Sequence, residues 1–282
     1  MKNKKFFVII LLIIGLVNFA VTASEITGNI KLVGSSAPEV KIETGYTVKI
    51  PVLQGEGPLF ANNNVKIKGN LGLSPIAISL TVESVFTPIA FLEISAGGVV
   101  GTGWNFDPMN LHGLAVGDGT TPADSHSLRG IYYKGFGGAA FQFDAAALWP
   151  GDWHHIVFRT AHEISWQGYT GKVEVGKGWE FETTGLHQNG LNYKGDYLVG
   201  YQMPLMINMV ALLAETYLDN IKTDFAVGMT FDLGLVTNFQ FTENLSLTVI
   251  PQITNRKIDE YRKITSSDVR FKRVAAMLTY SF

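Results

Sequence analysis

Glu83 and Glu93 stand on either side of Thr87-Pro88-Ile89, where a tight turn centred on Pro88 would bring them face to face across two antiparallel strands. Carboxylates so placed repel each other unless a proton or a cation separates them. That is the chemistry of a proton-sharing pair or of a cation-selective constriction; the plainer alternative is a salt-bridge network with arginines from the far wall. A second constellation flanks Pro150-Gly151-Asp152. There Asp144 falls near His155, Arg159 and Glu163 continue the same face, and Lys134 and Gln142 sit on the partner strand. An Asp that holds a His is half of a nucleophilic triad. No serine falls beside this pair, since Ser165 lies farther up the strand, so a network of paired charges is the expectation and no catalytic set is assigned. His154 points away from His155 if the segment is extended, so the two do not form a two-ligand metal site.

Positions such as these matter only if some element turns them to one side. The first residues bear on the compartment. Lys2, Lys4 and Lys5 precede an almost unbroken apolar run from Phe6 to Ala20, followed by Val21-Thr22-Ala23. A positive start, an apolar run short of a full membrane span and small residues at −3 and −1 predict a secretory signal peptide over 1–23, cut after Ala23. The rest, 24–282, reads as one domain. Losing those three lysines makes a chain of net charge −2 more acidic, and no basic block remains, so nucleic acid is not an expected partner. Without cysteine there are no disulfides, thiolate metal sites or cysteine nucleophiles.

Only 16% of the residues are charged, where about a quarter is usual for soluble domains, and glycine and aromatic residues are frequent. Yet beyond the leader no apolar run is long enough for a spanning helix. Alternation supplies the explanation. Phe225, Val227, Met229, Phe231, Leu233 and Leu235 alternate with Ala226, Gly228, Thr230, Asp232 and Gly234. Leu245, Leu247, Val249, Pro251 and Ile253 alternate with small and polar residues. A helix would scatter these sets around its circumference, whereas a strand shows one set to lipid and the other to a lumen.

The last segment alternates Val274, Ala276, Leu278, Tyr280 and Phe282 against Arg273, Ala275, Met277, Thr279 and Ser281. A strand ending in Tyr-x-Phe resembles the C-terminal targeting strand of bacterial outer-membrane β-barrels. The resemblance is to the class and singles out no family. It implies that Tyr280 and Phe282 are read by the barrel-insertion machinery, that the last strand closes on the first, and that outer-membrane lipid surrounds the wall.

The expected fold is therefore all-β: a transmembrane, antiparallel, up-and-down barrel with short periplasmic turns and longer extracellular loops. Strands are expected at 26–33, 40–53, 64–73, 76–86, 90–104, 128–148, 152–167, 190–203, 207–218, 223–241 and 245–257, with a final strand ending at Phe282. That makes twelve; the count falls to ten if 26–33 is outside the barrel and the change of phase at Ser74-Pro75 is a bulge. Tight turns fall at 87–89, 150–152, 204–206 and 242–244, all at one end. The longer connections 105–127, 168–189 and 258–269 fall at the other. Aromatic residues gather near both ends, with Trp104, Tyr133, Trp166, Tyr193, Tyr197 and Tyr217 assigned to the outer interface.

Asp118, Asp124 and His126 lie in the first long connection. An Asp-x-His pair at a barrel rim resembles ten-stranded outer-membrane proteases, although a solvated polar loop explains it as well. The alternating charges and aromatics of 168–189 suit a hairpin above the membrane, or a loop that folds inward. No phosphate loop, Gly-x-Ser-x-Gly elbow or His-Glu-x-x-His helix occurs, so no cofactor or metal is expected. The favoured function is a small-solute channel with Glu83, Glu93, Asp144, His155, Arg159 and Glu163 in its lumen. The alternatives are a non-conducting surface protein that binds through its loops and an outer-membrane hydrolase using Asp144/His155 or Asp124/His126.

Overall fold

The computed structural model describes residues 25–282 apart from 38, 107, 109–110 and 125–128. The expected leader and His126 lie outside the described residues. The strands are β1 (Glu25–Ser35), β2 (Val40–Pro51), β3 (Asn64–Leu73), β4 (Ala77–Ile89), β5 (Leu92–Gly103), β6 (Asn105–Phe106), β7 (Leu111–His112), β8 (Leu114–Gly117), β9 (Tyr132–Asp144), β10 (His155–Tyr169), β11 (Gly178–Phe181), β12 (Gly190–Gln202), β13 (Ile207–Ile221), β14 (Thr230–Gln240), β15 (Leu245–Ile258) and β16 (Ile264–Ser281). Twelve of them close into one antiparallel barrel, in the order β1-β16-β15-β14-β13-β12-β10-β9-β5-β4-β3-β2. The short β6, β7, β8 and β11 belong to connections.

Alternation decides which side chains face where. Leu80, Val82, Ile94, Phe158, Ile164, Leu212 and Leu278 point outward and are exposed. Their neighbours one position away, including Thr81, Glu83, Glu93, Arg159 and Glu163, point inward. An apolar outside around a charged inside reverses the polarity of a water-soluble protein and suits a wall set in hydrocarbon.

Closure is made by the two ends of the chain. Asn29 pairs with Ser281, and Gly28 and Phe282 exchange backbone hydrogen bonds of 2.8 and 2.9 Å. Tyr280 and Phe282 face outward at this rim, and the Phe282 ring meets Tyr46 edge-on at 5.9 Å. The expected strand end is thus at the lipid-facing seam.

The end bearing Glu25 and Phe282 is called here the turn end, and the opposite one the loop end. Ser74, Pro75 and Ile76 form a tight loop-end turn between β3 and β4, which settles the count at twelve. Several boundaries differ from expectation. β9 covers Tyr132–Asp144 in place of 128–148, because Ala145–Ala147 form a 3-10 turn that Asp144 caps, and β10 starts at His155. β14 begins at Thr230, because Phe225 is buried in the turn before it. The connection expected at 258–269 shrinks to 259–263, since β15 and β16 extend beyond the lipid-facing alternation. The turn end also carries one long connection, 52–63, folded upon itself and hydrogen-bonded through Leu59 to Ala90.

The loop end has an apolar core of its own. β8 and β11 come from the two long connections and pair as a two-stranded sheet. Trp179, Phe181 and Leu114 bury against Ile76, Ala77 and Tyr169. The connection 170–189 is therefore not a separate hairpin above the membrane; it folds inward.

Candidate functional site

The expected register of Glu83 and Glu93 is wrong. The β4–β5 turn is at Ala90-Phe91 rather than at Pro88, and the register shifts between Phe86 and Ile89. Glu83 consequently pairs with Gly97. A proline lacks the N–H that a regular ladder needs, so Pro88 sits where the pairing is irregular. Each carboxylate has its own cation. Lys68 binds Glu83 at 3.1 Å, while Glu93 receives Lys66 at 3.5 Å and Arg159 at 3.4 Å. No proton-sharing pair is assembled there; the carboxylates sit in a salt-bridge network, but its arginine comes from β10, one strand removed from Glu93 on the same wall, and not from the far wall.

The second constellation lies as expected. The β9–β10 pairing sets Asp144 beside Val157, and the His155 Nδ1–H donates to Asp144 Oδ2 at 2.7 Å. Asp144 also accepts from the Ala146 N–H, which fixes the carboxylate at the start of the short 145–147 turn. Glu163 meets Lys134 at 2.6 Å, and Arg159 lies opposite Gln142. Ser165 is ten positions from His155 on the same strand, roughly 33 Å away at strand rise, so it completes no triad. His154 turns aside, toward the Trp149 carbonyl.

Sequence reasoning missed the opposite wall. Asp196 lies across from Glu215, and Glu215 across from Asp232, so three carboxylates stand on adjacent strands. Lys194 lies between the first two at 2.9 Å from each, and Lys272 binds Asp232. Arg256 holds Asp219 at 3.0 Å. The signal was present: each lies on a strand whose apolar positions face out. Tyr217, expected at the outer interface, points inward and donates to Asp232 Oδ2 at 3.3 Å, because it shares a face with Glu215 and Asp219.

These pairs follow one rule. Lys68–Glu83, Lys134–Glu163 and Lys194–Glu215 join adjacent strands; Lys66–Glu93, Arg159–Glu93, Arg256–Asp219 and Lys272–Asp232 join strands one apart. All run along the wall. Their exposure varies: Glu93 is 17% and Arg159 41% exposed, whereas Asp232 is buried. A cavity of about 160 Å³ touches Glu83, Glu93, Arg159 and Asp196, and a second of about 430 Å³ opens at the turn end beside His155.

One segment leaves the wall. Residues 178–185 reach across the loop-end mouth. Phe181 packs on Gly101 of β5 so closely that an added Cβ would lie 2.8 Å from its ring. Glu182 binds Lys41 of β2 at 3.3 Å. The Thr184 carbonyl accepts from Arg256 at 3.3 Å, and Glu180 accepts two hydrogen bonds from Arg262 in the 259–263 turn. Glu182 and Thr183 have φ of 51° and 60°, and Gly185 has 93°. The segment reverses direction there, and only the glycine does so without crowding its own side chain.

The rim residues do not assemble a site among the described residues. Asp118 accepts from the Thr120 and Thr121 N–H groups at 2.8 and 2.9 Å, which hold its pKa down to about 2. It caps its own turn. Asp124 pairs through its backbone with Val116. Inside the adjoining sheet His187 is buried, and burial pushes its pKa down.

No family model matches the chain, and no curated protein is similar to it. Among solved structures, the KdgM porin superposes with a TM-score of 0.40 at 8% identity, covering 91% of this chain and 99% of its own. The NanC porin superposes with a TM-score of 0.42 at 10% identity, covering 92% and 99%. The outer-membrane OmpT of Vibrio cholerae superposes with a TM-score of 0.38 at 7% identity, covering 92% and 97%.

Proposed function

We propose that the protein is an outer-membrane channel for small polar solutes, with its turn end in the periplasm. One observation carries this reading: below the segment 178–185, the ion pairs between barrel strands run along the wall and not across the bore. Pairs of that kind neutralise the carboxylates without spanning the lumen. Glu83, Glu93, Arg159 and Glu163 line the mid-lumen passage, and Asp144 and His155 its periplasmic opening. Cleavage after Ala23 would release the barrel to the insertion machinery, which would read Tyr280 and Phe282.

Reconstitution of the purified full-length chain in a planar bilayer tests the channel. Stepwise conductance is expected. Folded, inserted protein that stays electrically silent would overturn the proposal and leave a closed surface protein.

A further inference from the structure

The turn-end cavity presents hydrogen-bonding groups that the fold does not use. Its volume of about 430 Å³ is in the range of small-molecule sites. Gln202 and Asp152 line it, and among the described residues their side chains have no protein partner. His155 lines it too, with Nδ1 committed to Asp144. That bond fixes the ring and leaves Nε2 for the cavity.

Two further carboxamides are held in place. Asn238 Nδ2 donates to Asn208 Oδ1 at 2.7 Å, Thr248 Oγ1 donates to Asn238 Oδ1 at 2.7 Å, and Asn208 Nδ2 donates to Gln240 Oε1 at 3.4 Å. Each amide keeps a second N–H and a second lone pair. Met203, Pro204 and Met209 supply the apolar part of the lining.

We infer that this vestibule is a binding site for an uncharged polyhydroxy solute. A hydroxyl both donates and accepts, as a carboxamide does, so a row of amides matches a row of hydroxyls without a charge mismatch. The methionines and proline match the C–H faces between them. An anion is disfavoured, since Asp152 lines the site, Asp144 stands behind His155, and no lysine or arginine is in the lining. A zwitterion or cation would use Asp152 alone and leave the amides idle. The inference deepens the channel reading by naming a solute class, and binding is measurable without conduction.

The test is titration calorimetry on the full-length chain, in a detergent without a sugar headgroup, with sucrose, glucuronate and arginine as probes. Sucrose should bind saturably, and more tightly than either charged probe. Gln202→Ala together with Asn208→Ala should weaken it about tenfold, the loss of one or two net hydrogen bonds. Lys177→Ala, at the loop end, should leave it unchanged. If the double variant does not fold, Gln202→Ala alone serves, because among the described residues that side chain has no protein partner. No saturable sucrose binding, preference for a charged probe, or undiminished binding in the Gln202 variant would each overturn the inference. Sucrose binding by a silent barrel would remove the channel and keep the site; conductance without binding would do the reverse.

Discussion

At the loop end, Glu180, His187 and Asn220 are buried and hydrogen-bonded to other parts of the chain, while at the turn end the side chains of Asp152 and Gln202 stand exposed and, among the described residues, have no protein partner. The loop end has the hydrophobic cluster around Trp179; the turn end has an open vestibule lined largely by polar side chains. Because lipid takes the apolar side of the wall, an ordinary apolar core forms only where the chain rises above it. The loop-end cap packs on the barrel through Ala77 and Tyr169 but carries most of its apolar contacts above the wall, so the wall below is expected to survive its loss.

The largest effect expected from that contrast is in the cap. Glu180→Ala leaves Arg262 facing a buried surface, at a cost of about 3 kcal/mol, the low end for a broken buried pair because Arg262 keeps some access to water. Limited proteolysis should then cut within 170–189, with circular dichroism still reporting an intact barrel. Loss of the barrel signal would mean that cap and wall are one cooperative unit.

Acidification should loosen the same region. His187 is held neutral by burial, with Asp219 and Glu180 opposing that shift and Arg256 adding to it. Gln167 Nε2 also donates to its Nδ1 at 2.8 Å, so a proton there would displace a hydrogen bond. The folded pKa lies below the ordinary 6.5, so the cap holds its full stability above that pH. It loses stability as pH falls from 6.5 toward the depressed value, because the opened cap takes up the proton more readily. Hydrogen exchange of residues 178–187 at about pH 7.5 and about pH 5.5, corrected for intrinsic rates, should show faster opening in acid. His187→Gln should flatten that difference; an unchanged slope would assign it to another group.

In the wall the effect expected on the channel reading is on selectivity rather than folding. Glu93→Gln leaves Lys66 and Arg159 without their carboxylate and should shift the cation-to-anion permeability ratio toward anions by roughly two- to threefold. Reversal potentials in a salt gradient measure it. The smallest effect belongs to Gly101→Ala, which sets a methyl against the Phe181 ring and the Ile78 carbonyl and should weaken the cap by about 1 kcal/mol. Slightly faster proteolysis of 170–189 checks it.

Alternation along the strands was enough to place Glu83, Glu93, Asp144, His155, Arg159 and Glu163 on the inner face, because side-chain direction in a strand is a local property of period two. It was also enough to bring Asp144 to His155, which a single hairpin joins. It did not give the partners of Glu83 and Glu93. Those depend on a turn displaced from Pro88 and on Lys66, Lys68 and Arg159, carried by strands reached only when register and neighbours are known. Nor did it find Asp196, Glu215 and Asp232 as a row, since two successive registers must be added to align them.

The chain's own pattern thus determined a wall of alternating strands with its outward and inward faces, while the count of twelve rather than ten was decided by the turn at Ser74, Pro75 and Ile76. Pairing between the two long connections, the inward fold of 178–185 and the choice of ion-pair partners were decided only by the closed tertiary structure. Strand periodicity is written residue by residue, but β8 and β11 are four residues each and come from connections far apart in the chain, with no period to announce them. Their meeting is stabilised by the apolar surface that Trp179, Phe181 and Leu114 bury together there.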